Sequence, residues 1–241
     1  MKFFPKSKKL EYAYIENDIL HIIQAKKSQN SKIGQGAIIQ TYHFSIAQVI
    51  SNNLKLDSKN CKDCRFSFNQ NNGVSGGCYT HKGMQLMGLK SMLKRLHKQL
   101  LNGLIKEFSF VSFDEYLKGI KEYKFDLVRF GAYGEPSLLD INVMKDLINY
   151  TNVGRRFTGY THQWHAIDER YSKFLMASTH SNIEAAIAKD KGYRSFIVGS
   201  DAKGVNCPAS KESKANSSCI KCAMCSGTTS KVKEDIYILQ H

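Results

Sequence analysis

The sequence predicts an α/β protein with a parallel sheet, and three observations lead to this fold class. Short runs of strand composition alternate with amphipathic helical segments over the second half of the chain, as they do in βαβ units. The 241 residues are 42% hydrophobic, an ordinary globular composition that can bury a sizeable core. Polar residues follow the strand candidates, and ligands gather at such strand ends in parallel sheets. We therefore expect residues 1–241 to form one domain, either a partial barrel or an open sheet.

The N-terminal segment 1–36 is expected to precede the repeating units as an arm and one extra strand. Residues 1–17 are polar and basic, which indicates a surface arm, and residues 18–24 have strand composition. The segment 25–36 is rich in Lys, Ser, Asn and Gly and is predicted to be a loop. A short helix is then expected over 45–53, after the first strand of the repeating units.

Two helices are expected between the first and second of these strands. The more regular pattern spans 83–106, where Met and Leu recur at helical spacing and lysines occupy the other faces. The second spans 112–123, where Ser112 and Glu115 have the spacing of a capping box.

Six strands are predicted from residue 37 onwards, and most of them lead into a helix. In chain order they are 37–43, 125–130, 156–160, 174–177, 194–198 and 235–239. The later helices are expected at 137–150, 164–171 and 182–191. Six such units are too few for the closed eight-stranded barrel.

The chain is strongly basic, with 35 Lys and Arg against 21 Asp and Glu. This balance favours a nucleic acid or a nucleotide as partner, and the alternative is a lysine-rich surface that only aids solubility. No apolar run approaches the ~20 residues that a membrane span needs, and the N-terminus lacks the apolar core of a signal peptide. We expect a cytoplasmic protein with no membrane partner; the sequence gives no oligomeric state.

The seven cysteines fall into two groups, which indicates metal or cofactor ligation rather than disulfides. The first group is Cys61, Cys64 and Cys78, in a predicted loop at 54–80. Together with His81 it has the pattern of a tetrahedral zinc site. Without His81 it has three thiolates, which would leave one iron of a [4Fe–4S] cluster open to a ligand.

The second group lies in a predicted cysteine-rich loop embedded at 200–232. Its members are Cys207, Cys219, Cys222 and Cys225. The CxxCxxC run is typical of ferredoxin clusters, and zinc is the alternative, although zinc more often takes two separated pairs. Four cysteines complete the coordination of one cluster, so this site would be structural or would transfer electrons.

A carboxylate, Glu135, follows the second predicted strand, between Gly134 and Pro136. The glycine allows close backbone approach, so Glu135 would face the amino group of a ligand. The alternative is an acid that complements the dipole of the helix that follows.

Histidines follow the later strands. His162 and His165 lie in the segment Gly-Tyr-Thr-His-Gln-Trp-His at 159–165, and His180 follows the fourth of the six predicted strands. Such side chains bind substrate, stack on a base or transfer a proton, and the alternative is a structural hydrogen bond. The sequence contains no Walker A loop.

The segment GAYGEPSLLDINVMKDLI at 131–148 resembles the Gly-Gly-Glu-Pro segment of the radical S-adenosylmethionine enzymes. The resemblance extends to the order of first strand, cysteine loop, Gly-Glu-Pro turn and later strands. It implies a partial (βα)6 TIM-like barrel with two cysteine-rich metal-binding loops. The cysteine spacing here, Cx2Cx13C, differs from the usual Cx3Cx2C of that family.

The resemblance also implies roles for individual residues. The first three cysteines would hold the [4Fe–4S] cluster, whose open iron chelates S-adenosylmethionine, and the last four would hold an auxiliary cluster. Gly134 and Glu135, with Pro136 completing the turn, would contact the methionyl amino group. Ser178 or His180 would approach the ribose, and residues 198–200, including Gly199 and Ser200, the adenine.

Residues 159–164 and the terminal CxxCxxC group also resemble segments of bacteriophage proteins of unassigned activity, which implies a viral origin and the host-cell cytoplasm. Three hypotheses follow from the sequence. The first is a radical enzyme that acts on a nucleotide or nucleic acid, with His162, His165 and His180 as candidate catalytic residues. The second is a non-enzymatic nucleic-acid-binding protein stabilised by zinc. The third is a degenerate barrel that keeps the fold without catalysis.

Overall fold

Two five-stranded sheets organise the molecule in a computed structural model that describes residues 1–5, 8–103, 112–200 and 203–239. In chain order the strands are β1 (Lys2–Phe3), β2 (Leu10–Glu16), β3 (Ile19–Ser28), β4 (Gly36–Ser45), β5 (Tyr123–Lys124), β6 (Leu127–Tyr133), β7 (Phe157–Thr158), β8 (Tyr160–Thr161), β9 (Met176–Thr179), β10 (Ser195–Val198), β11 (Val205–Asn206) and β12 (Ile236–Ile238). The first sheet has the order β2-β3-β4-β6-β7 and the second β11-β12-β10-β9-β8. β1 pairs with β5 separately.

Most of these strands are parallel. In the first sheet β2, β3 and β4 are antiparallel neighbours, whereas β4, β6 and β7 are parallel. All the pairs of the second sheet are parallel. Only Gly159 separates β7 from β8, so the two sheets are contiguous along the chain at this point. The molecule is a mixed α/β protein, as predicted, and its parallel strands share one carboxyl-terminal edge.

The molecule has seven described α-helices, some of which cover the two faces of the first sheet, while α6 packs on β9 of the second. They are α1 (Ile46–Ser51), α2 (Ser58–Cys61), α3 (Gly83–Leu101), α4 (Phe113–Lys121), α5 (Ile141–Thr151), α6 (Asn182–Asp190) and α7 (Cys219–Cys222). Leucines of α3 pack with Leu20, Ile22 and Phe44 on one face. Apolar residues of α4 and α5 pack with Ile23 and Ile39 on the other. No described helix is long and apolar enough to cross a membrane.

The prediction that residues 1–17 form a surface arm is wrong. Leu10–Glu16 forms β2 and pairs with β3 along its whole length. The sequence did not indicate this strand because the side chains that pack against the core are tyrosines, which stand among charged residues. Tyr12 packs at 5.2 Å from the ring of Phe113 on α4, so the aromatic rings bury what appeared to be a polar segment. The loop predicted at 25–36 is also shorter, because β3 continues to Ser28.

The six strands predicted from residue 37 are all present, in the predicted order, although the third is split into β7 and β8. The capping box of Ser112 and Glu115 is confirmed at the start of α4. The helix predicted at 164–171 is wrong, since the helical residues there are a short 3-10 segment, Glu169–Lys173. The long helix ends at Leu101, and its predicted residues 104–106 lie outside the described residues. The predicted loop at 200–232 contains β11 and α7, and residues 201–202 are likewise outside.

A buried histidine pair links β3 to β4. His21 and His43 are partners in the antiparallel register, and their Nδ1 atoms are 3.0 Å apart. His21 also stacks on Tyr14 at 4.7 Å. Burial lowers the pKa of His21 to about 4, and it lowers that of His43 further below its usual range. Both rings are therefore neutral in the folded protein at neutral pH.

We expect this pair to make the protein acid-labile. Between pH 6.5 and about 4 the unfolded chain protonates His21 and the folded chain does not, so the free energy of unfolding falls as the pH falls through this window. The contribution of His21 is on the order of 3 kcal/mol. His21→Phe should flatten the dependence, measured by urea unfolding at a series of pH values. An unchanged pH profile in His21→Phe would contradict the assignment.

Candidate functional site

The first cysteine loop lies against the carboxyl-terminal edge of the parallel strands. The backbone N–H of Glu135, after β6, donates to the carbonyl oxygen of Asn60 at 2.7 Å. The side chain of Asn60 donates to the carbonyl oxygen of His43, near the end of β4, at 2.9 Å. Asn60 immediately precedes Cys61, so these two bonds hold the cysteine loop, β4 and the Gly-Glu-Pro turn together.

A buried aspartate, Asp57, folds the cysteine loop onto itself. Its carboxylate accepts the backbone N–H groups of Phe68 and Asn69, each at 2.8 Å. Its backbone carbonyl accepts the N–H of Cys61 at 2.8 Å, and the carbonyl of Cys61 accepts that of Cys64 at 3.1 Å. Asp57 therefore anchors both ends of the turn that carries the CxxC pair.

The thiols of Cys61, Cys64 and Cys78 are largely shielded from water and act electrostatically on one another. Burial raises the pKa of Cys61 well above its usual range, and the charges of Asp57, Cys64, Cys78 and Glu135 raise it further. Burial raises the pKa of Cys64 to about 12, and it also raises that of Cys78. With pKa values raised in this way the three thiols are protonated at neutral pH unless a positive charge lies nearby, and a thiolate-bound metal centre would supply that charge.

His81, the alternative fourth ligand, is buried beside this group. Its ring stacks on Phe68 with centroids 4.1 Å apart. Neither ring nitrogen has a hydrogen-bond partner among the described residues. A buried imidazole without partners is costly, so His81 fits a metal ligand as well as a packing residue.

Glu135 is a buried acceptor at the centre of the strand edge. One carboxylate oxygen accepts the N–H of Ser137 at 3.1 Å, and the other accepts the N–H of His162 at 3.0 Å. Burial raises the pKa of Glu135, and bonds from Thr161, Ser137 and His162 partly offset that rise. Glu135 thus closes its own turn, as the helix-acid alternative expected, and also joins β6 to the end of β8. The side chains of Ser137 and Thr161 also donate to this carboxylate, so its acceptor positions are filled, and a ligand's amino group would have to replace one of these donors.

Gly134 and Pro136 shape this turn. Gly134 has φ +76°, and a Cβ there would lie 2.5 Å from the carbonyl oxygen of His43. Pro136 packs against Gly131, where a Cβ would be 2.9 Å from its ring. Pro136 is therefore a packing residue of the turn.

We expect Glu135→Gln to destabilise the protein by about 1–3 kcal/mol. The amide nitrogen would face one of the two backbone N–H donors and leave it buried without an acceptor. Glu115→Gln is the matched control, because the capping box that Glu115 forms is exposed and glutamine also serves in it. Thermal melting of both variants is the measurement, and equal melting temperatures would contradict the role of Glu135.

Two of the three predicted catalytic histidines lie together above the cysteine loop. The rings of His162 and His180 are stacked with centroids 5.9 Å apart, and Phe66 of the loop packs at 5.0 Å from His180. Burial, followed by repulsion from His180, lowers the pKa of His162 to about 4. His162 is therefore a neutral imidazole at pH 7. His165 lies outside this pair but also borders the cysteine loop, because its half-exposed ring is 3.3 Å from the carboxylate of Asp63, between Cys61 and Cys64.

The remaining predicted cofactor residues lie along the same edge. The backbone oxygen of Ser178 in β9 accepts the indole N–H of Trp164 at 3.3 Å. A Cβ at Gly199, after β10, would lie 3.4 Å from the carbonyl oxygen of His180. Ser200 follows Gly199 and is exposed. The strand ends thus bring Gly199 beside His180.

The second cysteine group lies nearer the beginnings of the strands. Cys219 and Ile220 on α7 donate backbone N–H groups to the carbonyl oxygens of Lys32 and Ile33, each at 3.0 Å, just before β4. The group lines one cavity with Thr158, Tyr160 and Ile236, the first residue of β12; its four members are Cys207, Cys219, Cys222 and Cys225.

Burial raises the pKa of Cys219 to about 11 and that of Cys225 to about 12. Charge repulsion from the other thiols of the group adds to both shifts. The hydroxyl of Tyr160 is hydrogen-bonded to the thiol of Cys225. A metal centre would compensate these thiolates as in the first group.

All seven cysteines are free thiols. Among the described ranges, no three His, Cys, Asp or Glu side chains already have the arrangement of a metal-ion site. Each group nevertheless brings three or four partly or fully buried thiols together, and repulsion from neighbouring thiols adds to the raised pKa of Cys61 and of Cys225. Cysteine thiolates are ligands of zinc and of iron–sulfur clusters.

Sequence reasoning missed three residues that shape the site. Asp57 and Asn60 organise the first loop, and their position just before the CxxC pair was the available signal. Arg129 lies in β6 among apolar residues, and a single arginine within an otherwise apolar strand was the available signal. None carries a motif, since each acts through contacts that only the fold creates.

Comparisons of the chain with protein-family models, with curated proteins and with solved structures found no match.

Proposed function

We propose that this chain is an iron–sulfur protein of the radical S-adenosylmethionine type. Cys61, Cys64 and Cys78 would hold a [4Fe–4S] cluster, and Glu135 would receive the amino group of S-adenosylmethionine. The observation that carries the proposal is the bond from Glu135 N–H to the carbonyl oxygen of Asn60, next to Cys61. It places a buried carboxylate beside a three-thiol group at the carboxyl ends of parallel strands, where ligands bind.

A partial (βα)6 barrel is the finer fold that goes with this proposal. The strands β4, β6, β7/β8, β9, β10 and β12 are neighbours in chain order, all parallel. The chain runs directly from β7 through Gly159 into β8, and this connection supports one curved surface formed by both sheets. The antiparallel strands β2 and β3 would then extend its open edge.

The bound cluster would supply an electron to the cofactor. The chain's own residues position the cofactor and exclude water. Gly134 permits close backbone approach, and Glu135 orients the amino group. Phe66, His162 and His180 form an aromatic cover over the site. His162, neutral at pH 7, is available to accept a proton from substrate.

The second cysteine group would hold an auxiliary cluster, because four thiols complete its coordination. A nucleotide or nucleic acid is the proposed substrate class, since lysines and arginines outnumber acidic residues by 35 to 21. The seven free thiols suit a reducing compartment, and we propose the cytoplasm, that of the host cell if the protein is viral.

The second candidate function is that of a zinc-stabilised, non-enzymatic nucleic-acid-binding protein. The observation that favours it is His81, whose buried ring nitrogens lack partners among the described residues. With the three thiols His81 would complete a tetrahedral Cys3His site. A degenerate barrel that binds a cluster without catalysis is the remaining alternative.

One preparation separates these functions. The protein is purified anaerobically, and its iron, sulfide, zinc and absorption spectrum are measured, followed by equilibrium dialysis with S-adenosylmethionine. We expect brown protein with about seven to eight irons per chain and saturable binding of S-adenosylmethionine. Colourless protein with zinc in both groups would reject the proposal. Brown protein that does not bind S-adenosylmethionine would indicate the degenerate barrel.

A further inference from the structure

A row of polar side chains crosses the first sheet. The register pairs Glu11 with Gln24, Gln24 with Gln40, Gln40 with Arg129, and Arg129 with Thr158. Residues paired across neighbouring strands project from the same face. All five strands of the sheet thus contribute one polar residue to the same line on one face, whereas Ile22 and Phe44 on that face belong to the apolar core.

One end of the row is electrically compensated. Glu11 forms an ion pair with Arg95 of α3 at 2.8 Å, and it accepts a hydrogen bond from Gln24 at 2.6 Å. Lys9 lies 3.3 Å from the same carboxylate. Arg95 and Lys9 therefore neutralise the charge of Glu11, and Glu11 does not compensate Arg129.

The other end of the row contains an uncompensated cation, Arg129. Among the described residues, its guanidinium forms no ion pair with a carboxylate, and its hydrogen-bond partner is the hydroxyl of Tyr79. Burial disfavours its charge, and the ionisable groups near it are Tyr79, Tyr42, Cys219 and Tyr160. The tyrosines are neutral at pH 7, so most donor groups of the guanidinium have no anion to bind.

The side chain of Arg129 is partly exposed and can be reached from the side of Tyr79. Its bond to Tyr79 is exposed to solvent, and the side chain of Tyr79 is 52% exposed. The guanidinium also lies 5.7 Å from the centroid of the Tyr79 ring. Lys26 is close enough for the charge of Arg129 to lower its pKa, after the larger effect of burial. Arg129 and Lys26 thus place two positive charges near each other on a partly exposed part of the sheet.

Arg129 also lies between the two cysteine groups. Tyr79 is adjacent to Cys78 of the first group, and Cys219 of the second group acts on the charge of Arg129. Thr158, its partner in β7, donates to the hydroxyl of Tyr160, which lines the cavity of the second group. A ligand bound at Arg129 would contact the regions of both groups.

We propose that Arg129 forms an oxyanion-binding subsite, assisted by Tyr79, for a carboxylate or phosphate of the substrate. The planar guanidinium fork binds either oxyanion through two parallel hydrogen bonds. Identification of the bound anion as part of the substrate rests on the proposed function, whereas the anion site itself does not require iron.

The test measures binding of inorganic phosphate and of acetate to the full-length, anaerobically purified protein at constant ionic strength. We expect wild type to bind at least one of the two, and Arg129→Gln to bind it roughly tenfold or more weakly, since a charge-assisted hydrogen bond is lost. Arg129→Lys should have intermediate affinity, because the charge remains and the fork is lost. Arg170→Gln is the matched control, since Arg170 is an exposed arginine already paired with Asp168. The relative affinities for phosphate and acetate identify which oxyanion the substrate carries.

Iron content and binding of S-adenosylmethionine are measured on the same samples. Arg129→Gln with unchanged iron but weakened anion binding supports the subsite. Anion binding that is equal in wild type and Arg129→Gln overturns it. Loss of iron from the second group as the only change in the variant also overturns it, because Arg129 would then stabilise that cysteine group instead of binding an anion. If Arg129→Gln does not fold, Arg129→Lys decides by the same criteria. Anion binding that depends on Arg129 in a protein without iron supports the subsite and rejects the proposed function instead.

Discussion

Cys61→Ser is expected to remove about half of the iron and to abolish binding of S-adenosylmethionine. Cys61 lies close to the other groups of the site, because the charges of Cys64, Cys78 and Glu135 all act on it. Serine is a poor ligand for a cluster held by thiolates, so the first cluster should be lost. The second cluster should remain, because its thiols lie on α7 and beside β12.

Cys222→Ser is the matched control in the second group. It should also lower the iron content by about half, but binding of S-adenosylmethionine should persist. Iron and sulfide analysis with equilibrium dialysis on both variants measures this. Loss of all iron in each variant would show that the two groups do not hold independent clusters, and unaltered binding of S-adenosylmethionine in Cys61→Ser would contradict the site.

Gly134→Ala is expected to have the largest effect on folding. Alanine at φ +76° costs roughly 1–2 kcal/mol. Its Cβ would also lie 2.5 Å from the carbonyl oxygen of His43 and 3.3 Å from that of Asn60. Both are backbone atoms, so the clash cannot be relieved by a side-chain rotation, and overpacking adds roughly 1–3 kcal/mol. The turn would have to move away from the cysteine loop.

Gly154→Ala isolates the conformational part of this cost. Gly154 has φ +59°, and a Cβ there meets no atom within 4 Å. Gly154→Ala should therefore show only the backbone strain, and the difference between the two variants measures the clash. Thermal melting under anaerobic conditions is the measurement, with iron content as a second readout that should fall in Gly134→Ala alone. Equal melting temperatures would mean that the turn is not pressed against β4.

Much of the fold could be predicted because its parallel strands are short apolar runs bounded by turns. The runs at β6, β9 and β10 are buried and therefore nearly continuous in hydrophobicity. β2 escaped prediction because its burial depends on Tyr12 and Tyr14 meeting the aromatic residues of α4. Such a strand is apolar only in its tertiary context.

The candidate site was partly predictable for a similar reason. Cysteine spacing and the Gly-Glu-Pro turn are local in sequence, so they identified the two thiol groups and Glu135. The contacts that join them are distant in sequence, such as Glu135 to Asn60 and His162 to Glu135. Arg129 was missed because its role depends on register across four neighbouring strands, from β3 to β7. A single sequence does not specify these pairings.

The central claim is that the first cysteine group carries a cluster with an iron open to S-adenosylmethionine beside Glu135. Electron paramagnetic resonance of the chemically reduced protein, recorded with and without S-adenosylmethionine, tests it most directly. We predict that S-adenosylmethionine changes the signal in wild type and in Cys222→Ser, and that this response is absent in Cys61→Ser. A wild-type cluster signal that S-adenosylmethionine leaves unaltered, or a protein that contains zinc and gives no cluster signal, would contradict the claim.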